Sequence, residues 1–183
     1  MFYDRHLSRP APAVFETYKK KIPNFSLRMT NLQAALIRPQ LGMLGTLGER
    51  WNARYATLET ELNRIDHIRV PPRHAKEMYI GSSIQFTVED VSKAQVARFV
   101  EVCGQRGVEI KWFGREEPAG FTSSYENWAY LGDPPTMNRT RHILDFMCDM
   151  RIPLTFSIAD CRTIAAVIHA AAGEVFADNP FRR

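Results

Sequence analysis

Asn24-Phe25-Ser26-Leu27-Arg28-Met29-Thr30-Asn31-Leu32-Gln33-Ala34-Ala35-Leu36, followed by Gln40-Leu41, is the stretch on which the reading of this 183-residue chain turns. Thr30 with Gln33 has the capping-box form, in which a Thr hydroxyl and a Gln side chain satisfy each other's backbone amides at a helix start. Leu32, Ala35 and Leu36 then follow at helical spacing. Pro39 has no N–H and clashes with the preceding turn, so a kink or break is expected there. Beyond it, Leu44, Leu47, Trp51, Tyr55, Leu58, Leu62 and Ile65 recur in steps of three and four. That spacing predicts one long amphipathic helix over Leu44–Ile65. Its apolar stripe is broad enough that part of it is expected to stay exposed as an interaction surface. Gly42, Gly45 and Gly48 fall at steps of three; they either admit a close neighbour or weaken the helix start.

On the N-terminal side, Met1 to Pro23 is irregular and interrupted by Pro10 and Pro12, and reads as an arm that needs something to pack on. On the C-terminal side, Ile68-Arg69-Val70 is a short strand candidate, and a second runs from Tyr79 to Val88. Ser92 with Gln95 is another capping box; it opens a helix that buries Val96, Phe99, Val100 and Cys103 and stops at Gly107. Val108, Ile110 and Trp112 alternate with Glu109 and Lys111, predicting a third strand. The order strand, helix, strand points to an α+β layer, a small sheet covered by helices on one face. Gly114–Pro135 is a long, aromatic-rich loop of the kind that often carries function. Thr136–Met147 reads as a helix, Ile152-Pro153-Leu154 as an extended segment, and Ser157–Ala172 as a final helix. The expected division is an arm over 1–29, a domain over 30–176 and a tail over 177–183.

Composition narrows the function. Hydrophobic residues are 45% of the chain, enough for a real core, and the formal charge is only +4. Charges of both signs are mixed, whereas a nucleic-acid binder gathers its positive charge on one face; no nucleic-acid partner is expected. The three cysteines form no CxxC pair, and no apolar run is long enough for a signal peptide or a membrane span. These features predict a soluble, cytoplasmic protein with no membrane partner. The five histidines show no metal-ligand spacing, so no metal is expected. Cys148 and Cys161 read as small core residues, and Asp149 near Arg151 as a surface ion pair.

The stretch quoted first resembles the "Asn-Tyr-Arg-Met-Ser-Glu-Leu-Gln-Ala-Ala … Gln-Leu" signature of the DegT/DnrJ/StrS sugar aminotransferases. Arg28-Met29, Leu32-Gln33-Ala34-Ala35 and Gln40-Leu41 match it in register. The helix with Arg50 and Tyr55, the strand Val108–Phe113, and Ile152-Pro153-Leu154 with its following helix are similar to later parts of that family. The resemblance implies the small C-terminal domain of a fold-type-I transferase dependent on pyridoxal 5'-phosphate (PLP). Its reaction would move an amino group from an amino donor, typically glutamate, to a nucleotide-linked or related keto sugar. It also implies Ser26 and Arg28 as cofactor-binding anion contacts at the positive end of the first helix, Ser26 to the cofactor phosphate and Arg28 to phosphate or substrate, and Lys111, Trp112 and Phe113 as the substrate side. Ser26 stands where the family has Asn, and Trp112-Phe113 where it has a His-Tyr pair. The family's Schiff-base lysine lies upstream of the matched region, so no catalytic residue is assigned in this chain. PLP is expected to bind only with a large domain supplied. The expected partners are a second copy in a homodimer or an N-terminal large domain. The alternative reading is a non-catalytic α+β binding or dimerisation module.

Overall fold

The computed structural model describes residues 29–116, 125–128, 130 and 132–177, together with Thr17 and Lys21. Almost all of the expected arm and tail lies outside these residues. Helix α1 spans Asn31–Leu41, and its capping box forms as read: Thr30 Oγ1 accepts from the Gln33 N–H at 3.2 Å, and Gln33 Oε1 accepts from the Thr30 N–H at 2.8 Å. Pro39 does not break the helix at once. It sits in the last turn, where only the Ala35 carbonyl loses its partner, and the helix ends two residues later at Leu41. After Gly42 and Met43 the long helix α2 begins, at Leu44, and runs to Leu62, three residues short of the expected end. Of the three glycines only Gly48 is buried; it lies under the Ile80 side chain.

Strands β1 (Ile68–Arg69), β2 (Ser83–Val88), β3 (Lys111–Trp112) and β4 (Met147–Arg151) make one antiparallel sheet in the order β1-β2-β4-β3. Between β2 and β3 lies α3 (Lys93–Gln105), capped by Ser92 and Gln95 as expected and followed by Gly107 at φ 84°. That left-handed conformation is what a glycine tolerates and a side chain resists. Helix α4 (Asn138–Phe146) is shorter than Thr136–Met147, and α5 spans Ile158–Phe176 with a capping box from Ser157 and Asp160. The third strand is also shorter than predicted, although the burial of Val108, Ile110 and Trp112 does alternate with their neighbours.

The register sorts the sheet into two faces. Ile68 pairs with Val88, Ile84 with Met150, and Phe86 and Trp112 both with Cys148. All seven are buried, and they form the floor of the core. Helix α5 packs between α2 and α3 over this floor, bringing Leu58, Leu62, Phe99, Ile168 and Ala171 into one cluster. Cys103, Cys148 and Cys161 are all free and buried, as small core residues. Burial pushes the Cys103 thiol up to about 12, so it stays protonated at neutral pH. The α+β arrangement expected from the element order is therefore present.

Candidate functional site

Ser26 and Arg28, the expected cofactor-phosphate contacts, lie outside the described residues. The helix that follows them in the sequence, α1, begins at Asn31. Lys111, Trp112 and Phe113 lie on and just after the edge strand β3 and are divided between the two faces of the sheet. Trp112 is on the core side and its indole N–H donates to the Asp145 carbonyl at 2.8 Å. That bond ties β3 to the end of α4. A Cβ on Gly114 would fall 2.7 Å from the Trp112 ring and 2.8 Å from the Asp145 carbonyl oxygen. We expect Gly114→Ala to destabilise the fold by about 1–3 kcal/mol through overpacking, read from the shift in the urea unfolding midpoint. Phe113 is half-buried, and its N–H donates to the Met147 carbonyl at 3.1 Å.

Lys111 takes the opposite, polar face. It pairs with Asp149 of β4, which pairs in turn with Gln85 of β2, so three strands contribute one polar row. Asp149 was expected at the surface with Arg151. Instead it is 8% exposed, because Met147–Arg151 is a strand and the sheet encloses its middle residue. Burial holds its carboxyl above the ordinary 3.8, while Arg151, a hydrogen bond with Ser83 and Lys111 pull the other way. A carboxyl raised in the fold favours the folded state most below its ordinary value. That contribution is lost as pH rises through the raised value. Asp149→Asn is therefore expected to flatten the fall in stability between about pH 4 and about pH 7, measured by urea unfolding at both pH values. An unchanged slope would leave Asp149 without a net burial penalty.

Two cavities are lined by described residues. One, of about 560 Å³, lies between the end of β2 and α4, with Val88, Val91, Ile143 and Phe146 as apolar walls and Glu89 and Asp90 on its rim. The other, of about 230 Å³, includes Arg64, Asp66, His67 and His169 at the C-terminal end of α5. Neither fits PLP. No lysine lines either one, the first presents carboxylates to a phosphate, and the second sits at the negative end of a helix. No group of His, Cys, Asp and Glu among the described residues could hold a metal ion. No described helix is long and apolar enough to cross a membrane.

Sequence reasoning missed the residues that brace α2. Arg54 donates to the Phe156 carbonyl at 2.5 Å and to the Leu154 carbonyl at 3.3 Å, tying α2 to the turn before α5. Asn52 brackets the chain before β2: its Nδ2 donates to the Tyr79 carbonyl, and its Oδ1 accepts from the Gly81 N–H. The Arg73 guanidinium lies 4.8 Å from the Tyr55 ring and 4.2 Å from the Tyr79 ring. A polar side chain recurring on the core-facing stripe of α2 was the available signal, for Asn52, Tyr55 and Glu59 follow that stripe.

A family model described as the DegT/DnrJ/EryC1/StrS aminotransferase family matches residues 5–144. No curated protein matches. Among solved structures, Helicobacter pylori PseC, an aminotransferase involved in the biosynthesis of pseudoaminic acid, aligns with a TM-score of 0.67 at 12% identity over 84% of this chain and 40% of its own. The aminotransferase TlmJ from Streptoalloteichus hindustanus aligns at 0.63 and 14% identity, over 79% and 36%. DesI, solved in the presence of its TDP-sugar product, aligns at 0.64 and 15% identity, again over 79% and 36%. The chain spans about two fifths of the length of each of these structures.

Proposed function

Because the chain belongs to the DegT/DnrJ/EryC1/StrS aminotransferase family, we propose that it is the C-terminal, small-domain part of a PLP-dependent aminotransferase acting on a nucleotide-linked or related keto sugar. The observation that carries this reading is the family match, which runs through α1, α2, the sheet up to β3 and α4. In the proposed division, 1–29 is an arm, 30–176 the small domain and 177–183 a tail. PLP, where it is bound, supplies the electron sink for the reaction. Neither of the two cavities described above suits it, and a large domain would provide its place. This chain would contribute a rigid wall. Lys111, on the polar sheet face, and Phe113, at the strand end, would face the sugar, while Trp112 anchors the strand between them through Asp145. An ammonium in that position suits the anionic part of a nucleotide-linked substrate.

Ser26 and Arg28 are proposed to reach the cofactor phosphate from the start of α1. A guanidinium offers forked donors to phosphate oxygens, which is why its loss is expected to cost more than a neutral hydrogen bond. With a large domain of this family supplied in trans, Arg28→Ala should weaken PLP retention by about 1–3 kcal/mol. The check is a titration of PLP into the combined polypeptides, wild type against variant. Equal affinity would remove Arg28 from the site. Failure of the wild-type pair to retain PLP at all would count against the function itself.

A further inference from the structure

We infer that Asp149 is a positioning residue for the substrate, holding the Lys111 ammonium in place on the polar face of the sheet. This role rests on the proposed reading of Lys111 as a contact to the anionic part of the keto-sugar substrate. Asp149 is the one charged side chain buried among the described residues, and the only acid within the four strands. Its strand lies between β2 and β3, so it is paired with Gln85 on one side and Lys111 on the other. Directly opposed side chains of antiparallel strands start about 5 Å apart at Cβ, close enough to interact. A lysine stem has many rotamers, and a carboxylate beside it confines the ammonium. The backbone of β3 is fixed by other means: Trp112 donates to the Asp145 carbonyl at 2.8 Å, and the Phe113 N–H to the Met147 carbonyl at 3.1 Å. Asp149 is therefore left to act on the Lys111 side chain, and the strand does not need it.

Stability gives no reason for a charge at this place. A buried carboxylate costs free energy that its partners must offset. Here burial is the largest influence: the carboxyl stays above its ordinary value although Arg151, a hydrogen bond with Ser83 and Lys111 all pull it down. A neutral Asn has the same shape and can still meet Ser83, but it cannot hold a cation. Asp149 has two cations to hold, the half-buried Lys111 and the exposed Arg151. The third cation of the strands, Arg69, is already paired with Glu89 at 2.8 Å. Two cations against one carboxylate leave a net positive charge, so the group keeps its attraction for an anion while Lys111 is held still.

The test uses this chain combined with a large domain of this family supplied in trans. Asp149→Asn is expected to raise KM for a nucleotide-linked keto sugar about 10-fold, with kcat and the KM for glutamate changed by less than about twofold, the pattern of a lost binding contact. Its urea midpoint at pH 7 should not fall. Lys111→Met should raise the same KM at least as far, and the double variant no further than Lys111→Met alone, because Asp149 acts through Lys111. Calorimetric titration of uridine and thymidine diphosphate should show the same order without turnover. If Lys111→Met raises KM and Asp149→Asn does not, the substrate contact stands and the role of Asp149 is overturned. The same holds if the two effects multiply in the double variant, or if Asp149→Asn lowers kcat and the urea midpoint together. A Lys111→Met variant with no effect, or a wild-type pair that neither turns over nor binds either diphosphate, would remove the Lys111 reading and the role of Asp149 with it.

Discussion

Phe99→Ala is expected to destabilise the fold by about 3–5 kcal/mol, the range for removing a fully buried aromatic ring. Phe99 is fully buried on α3, and its ring centroid lies 5.4 Å from that of Phe176 at the end of α5. Phe176 in turn meets His67 edge-on at 5.6 Å, just before β1. The ring therefore sits where two helices and the start of the sheet converge, and truncation leaves a cavity that three elements would have to close together. Urea unfolding with an unchanged slope and a lowered midpoint is the expected readout. Leu32→Ala is the contrast. That side chain touches no core, so its effect on stability measured on the monomer should stay within about 0.5 kcal/mol.

The second large effect concerns activity. The 183-residue polypeptide alone, given PLP, glutamate and a keto sugar, is expected to show no amino transfer. A lysine that forms a Schiff base must reach the cofactor from inside a cavity and be able to lose its proton. Among the described lysines, Lys93 is ion-paired with Asp145 at 2.9 Å, Lys111 lies beside Asp149 in the sheet, and Lys21 and Lys76 are exposed. None of them lines either described cavity.

Helix starts were the most legible part of the fold. The boxes at Thr30 and Ser92 are local, needing only a hydroxyl and a Gln three residues on, and both formed as read. The core faces of α2 and α3 were legible through their period for the same reason: Tyr55, Leu58 and Leu62, then Val96, Phe99 and Cys103, lie where the spacing put them. Strand β4 was not legible. Met147-Cys148-Asp149-Met150-Arg151 has no β-branched residue, and its central acid suggests a surface. What makes it a strand is pairing with β2 and β3 on either side, a non-local fact. Misreading β4 also misplaced Asp149. The substrate-side stretch was visible as Lys111–Phe113, but its division into a core-anchored Trp112 and a Lys111 on the polar face follows from the register alone. Arg54 and Arg73 could not be found by pattern, because each acts through a backbone carbonyl or a ring distant in the sequence.

The most direct test of the central claim is amino transfer from glutamate to a nucleotide-linked keto sugar, measured with a large domain of this family alone, with this chain alone, and with both. PLP-dependent formation of the amino sugar only when both are present is the predicted result. Equal turnover by the large domain with and without this chain, or turnover by this chain alone, would contradict the assignment of the chain as the small-domain part of such an enzyme.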